Sequence, residues 1–224
     1  LDEDVSDAPY TSSNQNGIFA YGNTGSGNTA VSNIVSSSGV VASDVTGVGT
    51  ARLDVMACEY GNDKGIIAYG SYPYTAVSNL ISNSGVVSTD VTGVGTAHAA
   101  GGGATYGGDK GIFAYGIDGG GAYISYSNLV TNAGVVGTDV TGVGTARQNM
   151  SGCEYSAGKE LAIFAYGDDG SNANMSNLVT NVGVVGTDVT GVGTARHGAS
   201  SCDYGGDKGI FAFGSTGSMV NMSN

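Results

Sequence analysis

"DVTGVGTA" stands at Asp44–Ala51, Asp90–Ala97, Asp139–Ala146 and Asp188–Ala195 without a single change. Its starts at 44, 90, 139 and 188 are 46, 49 and 49 residues apart. Self-similarity at a fixed spacing of roughly 20–50 residues is the mark of a repeat architecture. Other phrases keep the same beat: "IFAYG" at Ile18–Gly22, Ile112–Gly116 and Ile163–Gly167, "IIAYG" at Ile66–Gly70 and "IFAFG" at Ile210–Gly214. Ser-Asn recurs with them at 32–33, 78–79, 127–128, 176–177 and 223–224. The chain therefore holds five copies of a unit of about 48 residues, and residues 1–224 read as a single repeat domain.

Within a unit the pattern is that of strands. "IFAYG" places Ile and Ala on one face and Phe and Tyr on the other, so both faces of that strand need cover. "SNLVTN" and "GVV" are short, β-branched and bounded by Asn and Gly, and nothing has helical spacing with caps. A further strand precedes the Gly-Asp-Lys turn, as in "TARQNMSGCEY" from Thr145 to Tyr155. Four short strands in each unit, with the central ones covered on both sides, predict an all-β, five-bladed β-propeller. The alternative is a β-rich repeat fibre. An immunoglobulin-like string needs units about twice as long with two-sheet cores of their own.

The order "TAR", then a Cys-containing strand, "YGGDKGIFA" and "SNLVTNAGVV" resembles a kelch-type blade. A weaker likeness runs to the chromosome-condensation-regulator type of propeller. The kelch double glycine is missing after Gly22, Gly70, Gly116, Gly167 and Gly214, and the chain has no Trp, so the likeness lies in period and strand order. The near-verbatim phrases also resemble repeat proteins encoded by marine bacteriophages. That resemblance implies a virion or tail-associated role.

Composition narrows the partners. Seven basic residues against 19 acidic give a net charge of −12, which repels a phosphate backbone and argues against nucleic acid. Gly reaches 41 with Pro at only 2. With no triplet period, tight turns and close backbone contacts explain that glycine better than a collagen helix does. No apolar run approaches the roughly 18 residues of a membrane helix, so membrane insertion is not expected. A weakly charged, acidic chain suits a virion or extracellular setting.

The candidate chemistry is thin. "GVGTAR" lacks the third glycine of a dinucleotide loop, and no helix follows it; its glycines read as a turn between units. Cys58, Cys153 and Cys202 share one repeat position, filled by Ala104 in another copy. They read as small core residues, with Cys153 and Cys202 the one pair to check for a disulfide. No zinc spacing occurs, and neither His98 nor His197 has partners for a triad or a metal. His98 stands where Arg52, Arg147 and Arg196 stand in other copies. These arginines, with Lys64, Lys110 and Lys208 and the preceding Asp63, Asp109 and Asp207, are expected to tie units together.

The variable segments between "IFAYG" and Ser-Asn form the expected binding face. Tyr72, Tyr74, Tyr123 and Tyr126 would stack on sugars or anchor a protein. Asp118, Asp168 and Asp169 beside glycines would take calcium, the one cofactor considered. The function read from these features is a non-enzymatic structural or adhesive module whose partner is a cell-surface glycan, a protein or copies of itself. A carbohydrate-binding lectin and a self-assembling filament subunit are the alternatives. Because the fifth unit stops at Ser223-Asn224, ring closure is expected to draw on "LDEDVSDAPYTSSNQN", where Asp4-Val5 echoes Asp44-Val45.

Overall fold

Each "IFAYG" copy contributes to a strand at the centre or along one side of its own small sheet. The computed structural model describes residues 16–224, so the expected role of the N-terminal segment in ring closure lies, apart from Asn16, outside the described residues. The first unit pairs β1 (Gly17–Asn23) with β2 (Asn28–Val35). The second has the order β3 (Met56–Tyr60), β4 (Lys64–Ala68), β5 (Ser78–Ile81). In the third, β8 (Lys110–Asp118) pairs with β6 (His98–Ala99), β7 (Gly102–Tyr106) and β9 (Tyr123–Val130). The fourth repeats the three-strand order with β10 (Ser151–Tyr155), β11 (Leu161–Ala165) and β12 (Ser176–Val179). The fifth pairs β13 (Ser200–Tyr204) with β14 (Lys208–Ala212).

The fold is thus all-β: five small antiparallel sheets, none closed on itself, with no α-helix among the described residues. The "GVV…DVT" segment is less regular than a full fourth strand. It touches its sheet through isolated bridges such as Ile81↔Val87 and Ser78↔Val91.

The hairpin turns explain part of the glycine content. Gly61-Asn62, Gly107-Gly108 and Gly205-Gly206 each place two successive residues at positive φ, a backbone that glycine and asparagine enter most easily. The fourth unit replaces this turn by the short 3-10 segment Ala157–Lys159.

Successive sheets pack against one another through the strands that lead into the hairpin turns: β7 lies against both β3 and β10, and β10 lies against β13. Phe113 packs edge-on against Tyr69 of the preceding unit, and Phe164 packs against Tyr115 in the same way. Both phenylalanines are fully buried, each contributing about 1.5–3 kcal/mol by burial. Double-sided cover therefore holds in the middle of the array. At its first unit, Phe19 is 68% exposed.

The cysteine position has a partner in the next unit. A Cβ added at Gly111 would meet the Cys58 thiol, and one at Gly209 would meet the Cys153 thiol. Where Ala104 replaces the cysteine, Ala162 replaces the glycine, and both alanines sit in one core cluster. The volume is exchanged across the interface, as close packing requires. All three cysteines are free thiols; Cys153 is buried, Cys58 half-buried and Cys202 exposed, so a core role fits Cys202 least. Burial pushes the Cys153 thiol up to about 12, which keeps it protonated and unreactive.

Candidate functional site

The "DVTGVGTA" segments form the joints between units. The aspartate of one copy receives hydrogen bonds from the threonine of the copy before it. Thr50 N and Oγ1 donate to Asp90, Thr96 to Asp139 and Thr145 to Asp188, with hydroxyl-to-carboxylate distances of 2.6, 2.7 and 2.7 Å. The Asn of the Ser-Asn pair completes the cradle: Nδ2 of Asn79, Asn128 and Asn177 donates to the same three carboxylates at 2.9, 2.8 and 2.9 Å. Partial burial works against these charges, but the donated hydrogen bonds outweigh it. The Asp90, Asp139 and Asp188 carboxyls are held below the ordinary aspartate value.

The second glycine of the octapeptide makes this approach feasible. Gly49, Gly95 and Gly144 have φ near +80°, +79° and +76°. A Cβ at any of them would run into the aspartate of the next unit.

The arginine after the octapeptide is fully buried and spans the joint. Arg147 donates Nε to Tyr166 O at 2.8 Å, Nη1 to Thr145 O at 3.0 Å and Nη2 to Asn177 Oδ1 at 2.6 Å. Arg52 repeats the set with Tyr69 O, Thr50 O and Asn79 Oδ1. Arg196 meets the same kind of partners in a different arrangement: Nη1 donates to both Thr194 O and Asn224 Oδ1 and Nη2 to Phe211 O, while its buried Nε has no hydrogen-bond partner among the described residues. Each guanidinium lies over the tyrosine of the preceding "AYG": Arg52 on Tyr21, Arg147 on Tyr115 and Arg196 on Tyr166, at 4.3, 4.4 and 3.8 Å from the ring centres. That tyrosine sits at positive φ in every unit that has one. Its hydroxyl donates to the valine carbonyl of its own octapeptide, as Tyr115 does to Val143 O at 3.1 Å.

Two backbone chains reinforce the joints. Ala100 N donates to Asp54 O, Asn149 N to Ala100 O and Gly198 N to Asn149 O, at 3.0, 2.7 and 2.8 Å, all four residues being at positive φ. The hairpin turns are linked likewise, Gly61 N to Asp109 O and Gly107 N to Glu160 O. The lysines play a narrower part than the sequence suggests. Lys64 pairs with Asp63, Lys110 with Asp109 and Lys208 with Asp207 inside their own turns.

A cavity of about 520 Å³ is lined by residues of all five units. The sequence reading does not anticipate it. Strands β3, β7, β10 and β13 supply Ala57–Glu59, Gly103–Thr105, Gly152–Glu154 and Ser201–Asp203, and the first unit adds Gly17 and Ile18. Lys159, from the 3-10 segment peculiar to the fourth unit, bridges it. Its Nζ lies 2.6 Å from Glu59 Oε2 in the second unit and 3.2 Å from Glu154 Oε1 in its own. Partial burial disfavours its charge, but the two carboxylates prevail and raise its pKa above the lysine norm.

The variable loops divide into two groups. Tyr72 is 72% exposed and Tyr74 lies against Gly119, the residue after Asp118, so loops of the second and third units meet there. Asp118 Oδ1 accepts from Gly120 N and Ala122 N, both at 2.9 Å. Asp168 and Asp169 accept from Gly170 and Ser171 of their own loop. Tyr123 opens β9, and Tyr126 turns inward against His98. Among the described residues no three His, Cys, Asp or Glu side chains gather as a metal-binding group. No helix in the described residues is long and apolar enough to cross a membrane. The chain matches no known family model, and no curated protein shows significant similarity to it.

Proposed function

We propose that the chain is a non-enzymatic, propeller-type module of five units arranged about the central cavity, serving as a structural or adhesive part of a virion appendage or extracellular surface. The observation that carries this reading is the division of labour among its residues. The repeated arginines, asparagines, aspartates, threonines and tyrosines are consumed in joints between units, whereas the non-repeated Tyr72, Tyr74 and Asp118 remain at a loop surface. A radial arrangement accounts for a cavity shared by all five units and for the contact between Lys159 and Glu59, which stand in non-adjacent units. The virion or surface setting rests on the kelch-like and phage-like phrasing of the sequence.

Carbohydrate binding is the second reading, favoured by the meeting of Tyr72, Tyr74 and Asp118. Exposed aromatic faces and a carboxylate suit sugar stacking and hydroxyl recognition. A glycan array probed with the wild-type chain and a Tyr72→Ala/Tyr74→Ala variant separates the readings. Loss of a specific signal in the variant supports the lectin. Binding to cells or self-association without any glycan signal supports the adhesive scaffold, and a monomer that binds neither would refute both.

A further inference from the structure

The joint between the second and third units departs from its three sisters. His98 stands there in place of arginine, stacked on Tyr69 with ring centres 4.0 Å apart. The same unit carries Tyr126 where the others have Val31, Val77, Met175 and Met222, and the Tyr126 ring meets His98 edge-on at 5.5 Å. The two changes compensate in bulk. They do not compensate in hydrogen bonding.

His98 Nδ1 lies 2.7 Å from Thr96 O, which can only accept, so Nδ1 carries the ring proton and Nε2 of the neutral ring is an acceptor. Burial disfavours protonation at Nε2 and outweighs the pull of Thr96 O and Asp139. Asn128 Nδ2 faces Gly137 O and Asp139 Oδ1, at 3.2 and 2.8 Å, which fixes the amide and leaves Oδ1 turned toward the joint. In the sister joints that oxygen meets an arginine Nη2, at 2.8 Å for Asn79 and 2.6 Å for Asn177. The imidazole is too short to do the same. Among the described residues His98 Nε2, Asn128 Oδ1 and the Tyr126 hydroxyl are all buried with no hydrogen-bond partner, and His98 and Asn128 are fully buried residues. Tyr126 and Asn128 are two apart on β9 and so share a face.

We propose that this joint is a binding site for one structural water molecule, which donates to His98 Nε2 and Asn128 Oδ1 and accepts from the Tyr126 hydroxyl. Two bare acceptors and one hydroxyl match the two hydrogens and a lone pair of water. Three such bonds are the usual complement of about 3 for a buried water. Thr96 lies beside the Tyr126 hydroxyl; its own hydrogen is committed to Asp139, so its oxygen can only accept and competes with the water for the tyrosine proton.

High-resolution diffraction and NMR test it together. The expected result is a discrete density peak within hydrogen-bond distance of His98 Nε2 and Asn128 Oδ1, long-lived water NOEs to the His98 ring, and the Nδ1–H tautomer at neutral pH. In the double variant His98→Arg/Tyr126→Val, which restores the sister arrangement, the peak gives way to a guanidinium. Tm then rises by about 2–4 °C, the shift of a domain this size for one net hydrogen bond. Ordered side chains with no density between them, a direct His98–Asn128 hydrogen bond, or an Nε2–H tautomer would overturn the proposal. The wild-type measurements decide it even if the variant does not fold.

Discussion

Replacing Arg147 by alanine should damage the chain far more than an ordinary single substitution. Truncation strips donors from Tyr166 O, Thr145 O and Asn177 Oδ1, removes the cation from the Tyr115 face, and leaves Asp188, 3.9 Å from Nη1, without its counter-charge. Thr145 O and Asp188 lie near the surface and recover water. Tyr166 O and Asn177 Oδ1 do not, and an abandoned buried acceptor costs about 1–3 kcal/mol. With the lost packing, the sum falls at about 3–5 kcal/mol, the range for breaking a buried charged pair. At about 2–4 °C per kcal/mol for a chain of this size, Tm should fall by roughly 6–20 °C. The chain has no Trp, so urea and thermal unfolding are best followed by near-ultraviolet tyrosine CD. Arg147→Lys, which keeps a charge but loses the fork, should fall between wild type and alanine. An Arg147→Ala protein within about 1 kcal/mol of wild type would refute the view that the arginine holds the joint.

The other predictions rest on the same joints. Gly144→Ala, at φ +76° and facing Asp188, should cost more than about 1 kcal/mol in urea unfolding, because the backbone strains while the carboxylate is displaced. Ala104→Cys alone should overpack its interface and lower the urea midpoint, and adding Ala162→Gly should recover most of the loss, giving a non-additive double-mutant cycle. The folded-state pKa values of Asp90, Asp139 and Asp188 are depressed, so their stabilisation is present above the ordinary value of 3.8 and lost as pH falls through that region. His98 is also depressed from 6.5, so the unfolded chain takes up its proton first and stability begins to fall below that pH. Urea midpoints measured against pH should show both steps, and His98→Gln should abolish only the upper one.

Much of this was legible in the sequence because repetition exposes what each position does. The all-β class, the five units and the tying role of the arginines follow from period and strand pattern. The double cover of the "IFAYG" strand holds wherever a neighbouring unit lies on each side, as at Phe113 and Phe164. Other features depend on which residues meet across units, and no one-dimensional spacing reveals that. The exchange of Cys-Gly for Ala-Ala at Ala104 and Ala162 is visible as two substitutions in the repeat, but their contact is not. Tyr126 reads as an exposed loop aromatic until β9 turns it against His98. Lys159 is the one lysine not preceded by aspartate, and nothing in its sequence neighbourhood announces its contact with Glu59.

That last contact offers the most direct test that the units converge on one cavity. Zero-length carbodiimide coupling of dilute, monomeric protein, followed by peptide mass spectrometry, should join Lys159 to both Glu154 and Glu59, the latter 100 residues away along the chain. Coupling to Glu154 alone, with Glu59 consistently unmodified by Lys159, would contradict a radial arrangement and favour an extended one.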